Sequence, residues 1–256
     1  MKTDVYLINL DSSVERLKQA DTELKKYNIT YQRIPAIDGR RLNVNDYKNY
    51  DSQRAYQLMG RDLLGAEIGC YLSHLRCIER FLASDADYVI VLEDDLFLKS
   101  DLQKISQQVL VWLKSNNLDW YTINLAANKR KISKSLYQLG NFNLLKAYYF
   151  PVLTLGLIWS RQGAERFYQD YQMISAPIDV TLQSWLTKNS KGLSMYPELV
   201  LANDVQSDID PTQNLNTNTN TNTKHIDNPR IGKRIPRQKR MWSNKYIAIK
   251  NKLFNK

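Results

Sequence analysis

Tyr88-Val89-Ile90-Val91-Leu92-Glu93-Asp94-Asp95 decides the fold. Five apolar residues in a row, three of them β-branched, read as a strand buried on both faces. Strands of that kind belong to helix-covered sheets, and this one ends directly in three carboxylates. Ligands of open α/β sheets bind beyond the carboxyl ends of the strands, so the triplet stands where a site is expected. If the extended geometry persists, Glu93 and Asp95 share one face and Asp94 takes the other. Three adjacent carboxylates repel one another and favour a nearby cation. Their hard oxygens suit Mg²⁺ or Mn²⁺, ions that can bridge a diphosphate and stabilise its departure. The triplet also fits an ordinary solvated strand-to-turn junction; the all-apolar strand before it weighs toward the functional alternative.

Upstream, Val5 to Leu10 is a second buried-strand run. An amphipathic helix follows, carrying Val14, Leu17, Leu24 and Tyr27, and then a strand from Ile29 to Ile34. This β-α-β opening predicts a parallel sheet. Residues 38–62 read as polar and irregular. The stripe Ile68, Tyr71, Leu72, Leu75, Ile78, Phe81 and Leu82 predicts a helix leading into the decisive strand. Downstream, a helix is expected over 101–115 and strands over Trp120–Leu125 and Val152–Ser160, with a basic, turn-rich stretch over 126–147 between those strands. Helices are then expected near Gln162–Tyr171 and Asp179–Lys188, and short strands near Met195–Pro197 and Leu199–Leu201. Together these elements predict an α/β domain over 1–210.

The charge is unevenly placed. The chain of 256 residues carries a formal +10. Residues 224–256 hold eleven Lys and Arg against Asp227 alone, so the rest of the chain is neutral. A nucleic-acid binder usually carries its basic surface on its reading module, and the neutral body argues against one. Between body and tail, an Asn/Thr tract over 214–223 has nothing to bury and is expected to be mobile, within a linker at 211–224. In the tail, Trp242, Tyr246, Ile249 and Leu253 share one helical face among Lys and Arg residues. A basic amphipathic helix at 225–256 can therefore lie on an anionic membrane surface; packing on the protein body is the alternative. Its removal is expected to weaken vesicle binding and to spare transfer to a soluble acceptor. Two cysteines, Cys70 and Cys77, lie about 10 Å apart if they share a helix, too far for a disulfide. No leader or membrane-spanning stretch is read from the sequence, which predicts a cytoplasmic, peripheral protein.

Asp179 follows Pro177-Ile178 and opens a predicted helix. A helix N-cap explains an Asp there, while a helix N-terminus also keeps a carboxylate ionised, as a general base requires. With only His74 and His225 present, a His-based zinc site is not expected. His74 itself reads first as a structural residue. No phosphate-binding glycine loop and no hydrolase elbow is present. A metal-dependent hydrolase or nucleotidyltransferase using the same acids remains a competing reading.

The chain resembles glycosyltransferase family 25, the bacterial lipooligosaccharide galactosyltransferases and their collagen-modifying relatives. The resemblance rests on Val5–Asp11 with Glu15-Arg16, on Ile34–Gly39, on Gly65-Ala66-Glu67-Ile68-Gly69-Cys70-Tyr71-Leu72-Ser73-His74, on Val91–Asp95, and on Pro177-Ile178-Asp179. Gln206–Ile209 carries it more weakly. It implies a GT-A-like, Rossmann-type nucleotide-binding fold with a mainly parallel sheet. It further implies a UDP-sugar donor, UDP-galactose first with glucose or N-acetylated sugars as alternatives, a saccharide or glycolipid acceptor, and inversion at the anomeric carbon. By position in these motifs, Asn9, Arg16, Ala36, Asp38 and Gly39 are expected at the nucleotide. Ser73, His74, Glu93 and Asp94 are expected at the donor pocket. A divalent metal, Mn²⁺ or Mg²⁺, is expected on Glu93, Asp95 and Asp208, and Asp179 is expected to be the catalytic base.

Overall fold

The computed structural model describes residues 1–44, 47–203 and 229–254. Asp208, the Asn/Thr tract and the whole 211–224 linker lie outside these residues. The opening is the expected unit: β1 (Thr3–Asn9), α1 (Val14–Lys25) and β2 (Gln32–Pro35), with β2 parallel to β1. A 3₁₀ turn at Gly39–Arg41 and α2 (Ser52–Met59) precede α3 (Gly65–Leu82), which delivers the chain to β3 (Tyr88–Glu93). β3 runs parallel to β1 on the side away from β2.

Then come β4 (Leu96–Leu98), α4 (Leu102–Ser115), β5 (Thr122–Asn124), β6 (Ser133–Leu139), β7 (Phe142–Ala147), β8 (Gly156–Ser160), α5 (Arg161–Asp170), α6 (Ile178–Asn189), β9 (Gly192–Tyr196), β10 (Val200–Ala202) and α7 (Pro229–Phe254). The main sheet has the order β2-β1-β3-β8-β5-β9-β7-β6. Six of its eight strands point one way; β8 and β7 run against them. β4 and β10 form a separate antiparallel pair.

β3 is covered on both faces, as its composition requires. Val89 and Val91 pack with Tyr71, Ile78 and Phe81 of α3 and Phe167 of α5. Ile90 and Leu92 pack on the opposite side with Leu24 of α1 and Ile105, Val109 and Leu113 of α4. Helices therefore close both faces, and the sheet's free edge opens where β1 and β3 end, at Asn9 and Glu93.

Two segments depart from the sequence reading. Residues 126–147 hold the β6–β7 hairpin at the sheet edge. Most of β6 is exposed or half-buried, so it lacks the apolar run that marks a central strand. Residues 38–62 hold the 3₁₀ turn and α2, whose start is fixed by Asp51 accepting from the Arg54 N–H at 2.8 Å.

α7 docks on α2 and α6 with an unexpected face. Ala248 is fully buried against Tyr148 and Tyr149. Asn244 Nδ2 reaches Ser184 Oγ at 3.2 Å, and Asn251 Nδ2 reaches the Thr187 carbonyl at 2.9 Å. The stripe of Trp242, Tyr246, Ile249 and Leu253 points outward, with Trp242 68% and Tyr246 70% exposed. The helix thus packs on the protein and also presents its apolar face. No helix of the described residues is long and apolar enough to cross a membrane.

Candidate active site

Three glycines shape the first cavity. A Cβ on Gly39 would lie 1.8 Å from the Gly65 carbonyl oxygen, and one on Gly69 would lie 2.4 Å from that of Ile37. Only bare backbone lets the start of α3 press against the loop 36–39. Ser73 locks the contact: its Oγ accepts from the Ile37 N–H at 2.8 Å and donates to the Gly69 carbonyl at 2.7 Å. The Gly-rich start of α3 is therefore a packing device for the loop above it.

The cavity so formed is lined by Asn9, Arg16, Ala36, Asp38, Gly39, Ser73, His74, Glu93, Asp94 and Asp95. All nine residues expected at the donor from the motifs meet in this one space, together with Asp95. Asn9 is fully engaged: Nδ2 donates to Asp94 Oδ2 at 2.6 Å and to the Ser13 carbonyl at 3.0 Å, while Oδ1 accepts from Arg33 Nε at 2.9 Å. Asp38 caps the 3₁₀ turn and holds the Arg40 guanidinium through two bonds of 2.8 Å.

The acidic triplet turns out of β3 with its members facing different partners. Asp94 pairs with Arg16, whose guanidinium also lies 3.5 Å from Asp95. Glu93 Oε1 accepts from Thr154 Oγ1 at 2.6 Å and sits 3.1 Å from His74 Nε2. Burial pushes the Glu93 carboxyl up, but the hydrogen bonds from His74 and Thr154, with the Arg16 charge, hold it below the usual carboxylate range. Asp95 goes the other way: burial, then the Glu93 charge, push it up to about 6. Arg16 is thus the cation the triplet demanded, and it leaves Asp95 incompletely compensated.

Among the described residues, Asp95 Oδ1 is buried with no hydrogen-bond partner. An uncompensated, orphaned carboxylate oxygen beside Glu93 fits a divalent cation, so Glu93 and Asp95 are suited to hold one. Cys70, His74 and Glu93 also each bring a ligand atom within 4.8 Å of one another, a grouping not foreseen from the sequence. Burial, then the Glu93 charge, drive the Cys70 thiol well above its ordinary value. Cys70 and Cys77 are both free, as their helical spacing required.

A second cavity opens on the other side of the triplet. Glu93, Asp95 and Cys70 line both spaces, and Asp179, Pro177, Thr154, Asn128 and Glu67 complete the second. Asp179 is not the N-cap of α6. Pro177 holds that position, and Asp179 lies in the first turn, its Oδ1 accepting from the Val180 N–H at 2.7 Å. Burial raises its pKa, the Val180 bond opposes this, and the Glu93 charge adds to the rise. Desolvation outweighs the helix terminus, so the shift runs opposite to the one a helix N-terminus alone would give. Glu67 is held by both Nη atoms of Arg61 at 2.6 and 2.7 Å and accepts from the Leu64 N–H, starting α3.

Thr154, Asn128 and Glu67 were not singled out from the sequence as site residues. Thr154 stood inside the apolar stretch before Ser160, and only the β3–β8 pairing brings it to Glu93.

The sequence model of glycosyltransferase family 25 (LPS biosynthesis protein) matches residues 2–182. Human procollagen galactosyltransferase 2 is 26% identical over 168 residues, covering 64% of this chain and 27% of that protein. A glycosyltransferase 25 family member of Aedes aegypti is 26% identical over 170 residues, covering 65% and 28%. The chain therefore spans about a quarter of the length of the curated relatives it matches. The crystal structure of S. aureus TarS 1–349 aligns with a TM-score of 0.43 at 10% identity, over 79% of this chain and 60% of that one. With the match running from β1 through the first half of α6 and including every described residue expected at the site, the chain belongs to glycosyltransferase family 25.

Proposed function

We propose that this chain is an inverting glycosyltransferase that moves galactose from UDP-galactose to a saccharide acceptor of lipooligosaccharide or lipopolysaccharide. The observation that carries the reading is the pair of cavities meeting at Glu93 and Asp95, with the motif residues of the donor in one and Asp179 in the other. A donor whose uridine lies by Ala36–Gly39 would bring its diphosphate to the triplet and its sugar toward the second cavity. A bound Mn²⁺ or Mg²⁺ would neutralise the diphosphate and ease its departure. Glu93 and Asp95 are the residues we assign to hold it, with Asp208 as a further candidate.

In one displacement, an acceptor hydroxyl oxygen bonds to the anomeric carbon while the bond from that carbon to the diphosphate oxygen breaks. Inversion follows from attack opposite the leaving group. The hydroxyl proton passes to Asp179, which lines the second cavity and not the first. A raised pKa makes Asp179 a stronger base than a solvated carboxylate, provided it is ionised at the working pH. Arg16 and Asn9 hold Asp94, and Thr154 and His74 hold Glu93, so the acids are oriented before substrate arrives.

We further place the enzyme on the cytoplasmic face of a bacterial membrane. The outward stripe of Trp242, Tyr246, Ile249 and Leu253 among Lys239, Lys245, Lys250 and Lys252 supports this, since such a face suits anionic lipid.

Asp179→Asn tests the assignment. Turnover with UDP-galactose should fall by ~10²–10⁴-fold, the scale of general-base catalysis, while UDP binding measured by titration stays within about twofold. Turnover near the wild-type value would remove Asp179 from the role.

A further inference from the structure

The second cavity continues past Asp179 into a third space whose wall is built partly by α7. Asp179, Pro177 and Glu67 line both, and the third space adds Arg61, Lys131, Tyr149, Arg237 and Arg240. Arg61 is consumed by Glu67. Lys131, Arg237 and Arg240 make no ion pair among the described residues. Lys131 Nζ lies 4.9 Å from the Tyr149 ring centroid. Arg240 Nη1 is fixed by the Leu58 carbonyl at 2.7 Å and by Met59 Sδ, which holds the guanidinium at the cavity wall. Burial lowers the pKa of both Lys131 and Arg240, and the Asp179 charge only partly opposes it.

Lys131, Arg237 and Arg240, with no ion pair among the described residues, line one cavity in which Arg240 is half-buried, so an anion in that space would complete them. They come from separate elements: the loop before β6 and two turns of α7. Because the body is otherwise neutral, this is a local concentration of charge beside the proposed base. We infer that this space is a subsite for an oxyanion, a phosphate or carboxylate, borne by the sugar acceptor next to its reacting hydroxyl. The inference rests on reading the second cavity as the acceptor's. It makes α7 part of the acceptor site, so the tail is more than an anchor.

The test uses the full chain with UDP and two matched probes, methyl α-glucoside 6-phosphate and methyl α-glucoside, by calorimetric titration and, in parallel, by transfer from UDP-galactose. The phosphorylated probe should bind at least tenfold more tightly. The double variant Lys131→Gln/Arg237→Gln should bring that ratio close to one, and Lys131→Arg/Arg237→Lys should restore most of it. Equal binding of the two probes by the wild-type chain overturns the inference, as does a preference that survives the double variant. Inorganic phosphate displacing the probe at the probe's own concentration would mean an adventitious anion site only, and overturns it too. Selective binding without transfer to either probe or to other glycosides would count against the proposed function and leave the subsite standing. Transfer that ignores the phosphate, with equal binding, would sink the subsite alone.

Discussion

Asp95 and Asp179 are both pushed toward the protonated form by burial, and the two shifts have different consequences. At Asp95 the folded chain holds a proton up to about pH 6, against an ordinary value of 3.8. A carboxylate raised on folding adds nothing below the unfolded value, where it is protonated in both states. Its destabilising effect grows as pH rises from 3.8 toward 6 and is complete above. Asp95→Asn should therefore raise the metal-free unfolding free energy at pH 7 by about 3 kcal/mol and leave it nearly unchanged below about pH 3, while metal-dependent UDP-galactose binding is lost. A melting temperature at pH 7 that falls in the variant would contradict this. As the proposed base, Asp179 should set the acid side of the working range through its raised pKa: as pH falls through it, the carboxylate is protonated and turnover should drop. The acid limb of kcat/KM should lie above 3.8 and disappear in the residual rate of Asp179→Asn; a limb that persists belongs to another group. The sequence made Glu93–Asp95 and Asp179 legible because strand ends and motif positions are local. It could not show which acid Arg16 neutralises, since that depends on α1 lying over the end of β3.

At the scale of elements, the contact between α3 and the loop 36–39 shapes the first cavity, the proposed nucleotide site. Gly69→Ala would place a methyl 2.4 Å from the Ile37 carbonyl oxygen, with backbone rather than a flexible side chain in the way. Overpacking of this kind typically costs ~1–3 kcal/mol, and the loop should move before the helix does. The variant should lose UDP affinity more than tenfold by titration; unaltered affinity would mean the loop does not form the nucleotide site. The sequence displayed these glycines but not their purpose, because the close approach joins residues 39 and 65–69 across an intervening helix. The β6–β7 hairpin was hidden for a related reason: an edge strand with one wet face has no buried run to read. α7 was legible as an amphipathic helix, yet the face that docks is Ala248, Asn244 and Asn251, which hydropathy does not pick out. Trp242→Ser/Tyr246→Ser should reduce cosedimentation with vesicles of anionic lipid several-fold at low salt; undiminished binding would remove the exposed stripe from that role.

Across the whole molecule, cavity follows cavity in one row. The motif-lined space at the ends of β1 and β3 leads through Glu93 and Asp95 to Asp179, and from there to the basic wall of α7. Helices on both faces of the sheet leave its carboxyl end as the place where a ligand can reach these acids. Among the described residues, the tail's cations, read from the sequence as an appendage, divide between the outward stripe and the cavity lined by Arg237 and Arg240. Cutting the chain after residue 228 should consequently do more than release it from vesicles: it should expose Tyr148 and Tyr149 and lower the melting temperature by several degrees. We propose that this row transfers a sugar from a nucleotide to an acceptor. The most direct test incubates the full chain with UDP-galactose and a set of neutral and phosphorylated glycosides, with and without Mn²⁺, and follows UDP and sugar conjugates together. UDP and a galactosylated glycoside should form in equal amounts and only with the metal present. UDP with free galactose and no conjugate, or no reaction from a folded chain across the whole set, would contradict it.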